Sequence, residues 1–449
     1  MRRAAFDIVY GTMECGKHSD ELFHAAVEGA EQARPAMTRQ EKSFVRRVSY
    51  GTIERAPELD RMLDQFSKTA VKKMKPAIRT ILRMGAYEIL YMDSVPVPAT
   101  CNEMVKLAKK KKFQNLSGFV NGVLRNLARA DKEALRKEIL SGLKRETEKL
   151  SFQYAMPEEI VSMLSDAYGR KTTEKILASF YEDRPVTIRV QTQNAAREQV
   201  CSELTEAGVS VTECKYVKNG LRIAGFDRIE LLPGFQEGHF TIQDESSMLP
   251  VMVSGIRPGD LVLDVCSSPG GKALYAIDLL AGKGLVSARD VSEKKTRKIR
   301  ENAERLKAEN IEIKVWDGTV PDETWHEKAD VVIADVPCSG IGVIGKKPEI
   351  KYNAMNHAAA LRELQRKIVL GAADALKPGG TFIYSTCTVN PAENEENAKW
   401  IVENLRFESV SLDSELPEQL QNSMTAKGML QILPGLHDGD GFFVAKFRK

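Results

Sequence analysis

Two cysteines stand where a thiol could act on a bound substrate: Cys338 in DVPCSG (335–340) and Cys387 in STCT (385–388). Each follows a short β-type run, ADVVIAD (329–335) and GTFIYST (380–386), which puts both at carboxyl ends of strands. Open α/β sheets bind their ligands at that edge. Either cysteine alone reads as buried packing. Two at one functional edge suggest thiol chemistry, because a cysteine sulfur reaches its nucleophilic, ionised form near neutral pH.

A glycine turn lies upstream of both. In DVCSSPGGK (264–272) a buried strand ends, a small-residue turn follows and a helix begins. Backbone N–H groups and the positive helix end would converge there on a ligand carboxylate or phosphate. Such a turn is weak evidence by itself, since tight turns need glycine anyway. Further along, Asp290 closes a second strand, Asp317 a third and Asp335 a fourth. One strand-end aspartate is commonly a helix cap or a solvated loop residue. Three of them beside the glycine turn describe one crevice for an adenosine-bearing cofactor, with Asp290 placed to accept the hydroxyls of a ribose.

The elements that must position these residues alternate after Gly255: LVLDV (261–265), a helix from Gly271, GLVSARD (284–290), a helix to about Lys307, IEIKVWD (311–317), ADVVIAD, a helix near 357–376, and GTFIYST. This pattern predicts a doubly wound parallel sheet, a Rossmann-like α/β domain, with FFVAKF (442–447) as an added antiparallel strand. Before it, VTIRV (186–190), LRIAG (221–225) and HFTIQ (239–243) surround one helical stretch near 195–207, which predicts a small α+β unit. Up to about Leu150 the apolar residues recur at helical spacing, and residues 151–181 read as helical linker. The expected organisation is an all-α domain over 1–150, linker plus α+β subdomain over 151–245, and the α/β domain over 246–449.

The net charge of +3 over 449 residues conceals an asymmetry: residues 1–150 carry 29 Lys+Arg against 19 Asp+Glu. A basic helical domain fits a polyanion. A helix from about Pro98 to Lys112 ends in Lys109, Lys110, Lys111 and Lys112, and the next carries Arg125 and Arg129, so these are candidate RNA contacts, although a lysine run can also be a solvated face. The seven cysteines form no C-x-x-C pair and the six histidines are scattered, so neither a metal site nor a disulfide framework is indicated. Acidic residues interrupt the opening stretch and no run approaches a membrane span, so a cytoplasmic protein is expected, with a monomer as the default.

The segments DVCSSPGGK, DVPCSGIGVI and YSTCTVNPAENEEN resemble the RNA cytosine-5 methyltransferases, the Nol1/Nop2/Sun group. RMGAYEILYMDSVPV and FVNGVLRNLAR look like a NusB-type helical RNA-binding domain, and this fusion is similar to bacterial members of the group that act on small-subunit (16S) ribosomal RNA. The resemblance implies S-adenosylmethionine as cofactor, held by Cys266, Ser267, Ser268, Pro269, Gly270, Gly271, Lys272, Asp290, Asp317 and Asp335. It implies Cys387 as the nucleophile, Cys338 as the group that helps release product, and Asp335 as the residue that polarises the base. Lys346, Lys347 and Lys351 keep the stretch after DVPCSG basic, and Lys346 and Lys347 are added to the RNA contacts. Ribosomal RNA, or a partly assembled small subunit, is the implied partner. Two other readings stay open: the same chemistry on transfer RNA or 23S rRNA, and a non-catalytic RNA-binding or ribosome assembly factor.

Overall fold

The computed structural model describes residues 1–33 and 37–449 and divides into two compact units, Met1–Ala178 with Ile344–Met355, and Ser179–Val343 with Asn356–Lys449. The first unit is helical: α1 (Arg2–Cys15), α2 (Ser19–Ala33), α3 (Arg39–Asp64), α4 (Pro76–Tyr91), α5 (Val97–Lys110), α6 (Ser117–Arg129), α7 (Lys132–Gly142), α8 (Glu146–Gln153) and α9 (Glu158–Ser179), the last ending as the second unit begins. Local chemistry sets several of these boundaries. Thr38 and Glu41 form a capping box at the start of α3. Asp131 caps α7 through the Ala134 N–H. The apolar stripes of these helices close on a core that includes Ile53, Leu59, Ile81, Met84, Met104 and Leu124. The residues read as linker are helical, with α9 broken at Gly169 (φ 73°), and they bury Ile160, Val161, Leu164 and Ile176.

The lysine-rich stretch after DVPCSG departs from the sequence reading. Lys346 and Lys347 are exposed, but Lys351 is 3 % exposed and belongs to the first unit. Its ammonium group donates to the carbonyls of Glu54 and of Ala155, the latter at 2.9 Å, and the neighbouring Tyr352 hydroxyl donates to the Ile53 carbonyl. A cation enclosed in this way loses its hydration, and burial lowers the Lys351 pKa from 10.5 to about 7. Between those values the unfolded chain binds a proton that the folded chain releases, so stability rises with pH across the window. Urea midpoints compared near pH 7 and near pH 9 should show this rise, and a smaller one in Lys351→Met. An equal rise in the variant would assign it to other groups.

The second unit begins with a small antiparallel sheet of β1 (Val186–Val190), β2 (Ser210–Glu213), β3 (Gly220–Ala224) and β4 (Phe240–Ile242), ordered β2-β3-β1-β4, with α10 (Arg197–Glu206) between β1 and β2. Helix α11 (Glu245–Met252) leads into the large sheet. There β5 (Leu261–Asp264), β6 (Leu285–Asp290), β7 (Ile311–Val315), β8 (Ala329–Asp335) and β9 (Leu376–Thr386) run parallel. They are linked by α12 (Gly271–Leu280), α13 (Glu293–Arg305) and α14 (Ala358–Ala373), and α15 (Glu395–Leu405) follows β9. The sheet is completed by β10 (Glu408–Ser409), β11 (Met429–Ile432) and β12 (Phe442–Arg448), and β12 pairs antiparallel with β9 as the sequence pattern predicted. Its path is β10-β12-β9-β8-β5-β6-β7, with β11 on β12. Two edge strands, β10 and β11, have no counterpart in the sequence reading; they are only 2 and 4 residues long, too short to show alternation.

Candidate active site

The chain order reverses at β5, which lies between β6 and β8, so a crevice opens above its carboxyl end. The register places Asp264 of β5 opposite Ala288 and Ile333, and Asp335 of β8 opposite Ser385 of β9. Each strand stops because its apolar run gives way to small or polar residues, and the loops that follow carry the candidate residues.

The turn after β5 is shaped by Gly270, whose φ of 105° is a left-handed conformation that side chains disfavour. A Cβ there would also meet Leu274 and Ile299 at 3.2 and 3.3 Å. Asp290 folds over this turn: its carboxylate accepts the Ser268 N–H at 3.0 Å and the Val291 N–H at 2.8 Å, and pairs with Lys295 at 3.0 Å. Asp317 is exposed and its Oδ1 accepts both the N–H and the hydroxyl of Thr319, which hold its pKa below the usual carboxylate value. Cys266 is half-buried, and burial raises its thiol pKa, so it packs as a neutral group. Lys272 does not stay at the glycine turn. Its ammonium reaches Asp335 at 2.6 Å, while Ser385 donates to the other carboxylate oxygen at 2.7 Å.

Beneath the turn, both carboxylate oxygens of Asp264 and the Ser267 hydroxyl are buried with no hydrogen-bond partner among the described residues. Burial pushes the Asp264 carboxyl up to about 7, with Lys272 opposing and Asp335 reinforcing the rise. An unsatisfied buried acceptor costs about 1–3 kcal/mol. Such a group fits a ligand that brings its own cationic donor, for example the ammonium of an amino-acid moiety. The donor set therefore suits a cofactor with an amino-acid end at β5 and a ribose near Asp290. Among the described residues no group of three His, Cys, Asp or Glu side chains could hold a metal ion, and no helix is long and apolar enough to cross a membrane.

The cysteines, 49 positions apart in the chain, meet at the mouth of the crevice with their sulfurs 3.2 Å apart. Both are half-buried and neither is in a disulfide. Contact with the Cys387 sulfur, together with burial, holds the Cys338 thiol pKa well above its ordinary value. Either sulfur can donate in this contact. The loops interlock: the Gly342 N–H donates to the Cys387 carbonyl at 3.2 Å, and a Cβ on Gly342 would overlap the Gly441 carbonyl oxygen, so only glycine fits this crossing.

Sequence reading left one part of this site without a role. In PAENEEN, Glu393 and Asn394 are fully buried and bonded to the cysteine loops: Glu393 accepts the Ser339 N–H at 2.9 Å, and Asn394 donates to the Thr388 carbonyl at 3.0 Å. The available signal was acidic and amide residues immediately after a reactive motif, a pattern that also describes a solvated helix start. Among the RNA candidates, Lys109, Lys110, Lys112, Arg125 and Arg129 are exposed on the first unit. Lys111 is engaged internally, 2.7 Å from Asp7 and over the Phe6 ring.

The 16S rRNA methyltransferase RsmB/F family model matches residues 251–448, the NusB family model residues 1–129, and the RsmF/B-like ferredoxin-like domain model residues 156–230. The curated protein "Probable ribosomal RNA small subunit methyltransferase B" of Synechocystis sp. is 32 % identical over 96 % of each chain. Its Bacillus subtilis namesake is 33 % identical over 91 % of each. The crystal structure of PH0851 shares the fold, with a TM-score of 0.82 and 23 % identity over 99 % of this chain and 98 % of that one.

Proposed function

Because the chain belongs to the RsmB/F family of 16S rRNA methyltransferases, we propose that it methylates carbon 5 of a cytosine in small-subunit ribosomal RNA, with Cys387 adding to the base. The observation that carries this reading is the pair of sulfurs 3.2 Å apart at the edge where the glycine turn and the strand-end aspartates converge. S-adenosylmethionine, when bound, supplies a methyl group on a positively charged sulfur.

Carbon 5 of cytosine is a poor nucleophile. The Cys387 thiolate forms a bond to carbon 6, which moves the electron pair of the 5,6 double bond onto carbon 5 and lets that atom take the methyl group. The Cys338 S–H, donating to Cys387, stabilises negative charge on the attacking sulfur before addition. Asp335, oriented by Lys272 and Ser385, accepts from the N4 amino group of the base and fixes the ring against Cys387. After methyl transfer the carbon-5 proton leaves to water, the electron pair re-forms the double bond, and the bond from carbon 6 to the Cys387 sulfur breaks, returning its electron pair to the sulfur. Cys338, beside the departing sulfur, assists this elimination. The base must leave any stack to reach the crevice, which favours a loop or single strand.

Transfer of radiolabelled methyl to small-subunit RNA, followed by bisulfite mapping of RNA from cells with and without the gene, tests the reading. A protected cytosine that depends on the gene supports it. Labelled methyl recovered only in transfer RNA or 23S rRNA would refute the assigned substrate, and no transfer to any RNA would leave a binding factor.

The exposed lysines at the end of α5 supply part of the RNA-binding surface. Changing Lys109, Lys110 and Lys112 to Glu should lower the slope of log K against log salt by about 0.7 to 0.9 for each phosphate that is no longer neutralised. A weakened complex with an unchanged slope would place those lysines off the RNA.

A further inference from the structure

We propose that Glu393 is a positioning residue that holds the two cysteine-bearing loops at their working separation; the inference rests on the thiol reading above. Glu393 is 0 % exposed and its carboxylate reaches both loops. Oε2 accepts the Ser339 N–H, next to Cys338, at 2.9 Å. It also accepts Gln365 Nε2 at 2.9 Å, and that amide donates in turn to the Pro337 carbonyl at 2.9 Å. Oε1 accepts Asn390 Nδ2, three residues beyond Cys387, at 3.0 Å. A hydroxyl contact between Ser339 and Thr388 at 2.8 Å closes the ring. The Glu393 backbone is fixed as well, its carbonyl accepting the Tyr384 hydroxyl at 2.6 Å.

These side-chain bonds come from neutral N–H groups, and burying a carboxylate on such partners is costly. An amide would fill the same volume at lower cost, but it cannot accept on both sides. Gln at this position brings one oxygen and one NH2, so an N–H faces an N–H either at Asn390 or at Ser339 and Gln365. One cysteine loop then loses its bond to this side chain whichever way the amide turns. The negative charge of Glu393 also helps keep the Cys338 thiol protonated.

The full-length chain is assayed with S-adenosylmethionine and small-subunit RNA. E393Q should lower kcat by about 100-fold, the scale of a misplacement of about 1 Å, with KM for both substrates within about 3-fold of wild type. Alkylation of Cys338 by iodoacetamide, read in a Cys387→Ser background, should move to lower pH in E393Q. E393D, which keeps the carboxylate, should recover part of kcat. Wild-type kcat in E393Q, or equal losses in E393Q and E393D with an unmoved alkylation profile, would overturn the proposal. If E393Q does not fold, N390A removes the tether on the Cys387 side and should lower kcat by about 10-fold at unchanged KM; wild-type kcat there overturns it too. A wild-type protein that transfers no methyl to cytosine would instead refute the function it rests on.

Discussion

Cys387→Ala should eliminate methyl transfer to RNA, with turnover falling by about 10⁵-fold, while S-adenosylmethionine binding measured by calorimetry stays within about 3-fold of wild type. The size of the effect follows from the chemistry. A loss of about 10⁵ corresponds to roughly 7 kcal/mol of barrier, and no neighbouring group can supply it because carbon 5 stays electron-poor until a nucleophile occupies carbon 6. Cofactor affinity should be spared because the groups suited to hold it, the turn at 266–271, Asp264 and Asp290, belong to β5, β6 and the segments after them, whereas Cys387 lies in the loop after β9. A variant that retains more than about a tenth of wild-type turnover would remove Cys387 from the reaction.

In Cys338→Ala the forward half of the reaction should survive and release should stall. Elimination at carbon 6 loses its assisting thiol, a contribution of about 10²–10⁴ typical of a positioned acid or base, so an adduct of protein and RNA should accumulate and persist in denaturing gels. Incubation with labelled RNA and S-adenosylmethionine, followed by electrophoresis, reads this directly. The adduct should vanish in the double variant with Cys387→Ala. Adduct formed by Cys387→Ala alone would exchange the roles of the two sulfurs. With the two sulfurs 3.2 Å apart, the adduct assay is what separates the two assignments.

The contact between the cysteines also gives Glu393 its importance. The strand ladder of β8 with β9 ends at Asp335 and Ser385, before either cysteine, and beyond it the loops are joined by the Gly342 to Cys387 backbone bond and by side chains. The buried carboxylate takes over where the ladder stops.

How much of the molecule is legible in its chain divides along a physical line. Residues 264–272, 329–338 and 380–387 announce strands, a glycine turn and a catalytic edge because those features are written in near neighbours: apolar runs, a positive-φ glycine and helix starts depend on a few consecutive residues. The doubly wound order and the antiparallel β12 follow from the same alternation. Other features depend on partners far along the chain. Lys351 is a buried amine because carbonyls 297 and 196 positions away enclose it, and nothing in its own segment distinguishes it from the exposed Lys346 and Lys347. Lys111 lies in a run of four lysines, yet it is paired at the surface with Asp7, 104 positions distant. Glu393 reads as part of a polar helix start until the loops of β8 and β9 close over it. The chain alone therefore determined where the strands, the glycine turn and the two cysteines fall and at which edge of the sheet, since local patterns encode strands and turns. Only the folded structure decided which sulfurs touch, which charges are buried and what holds the loops together, since those depend on long-range packing that no short segment contains.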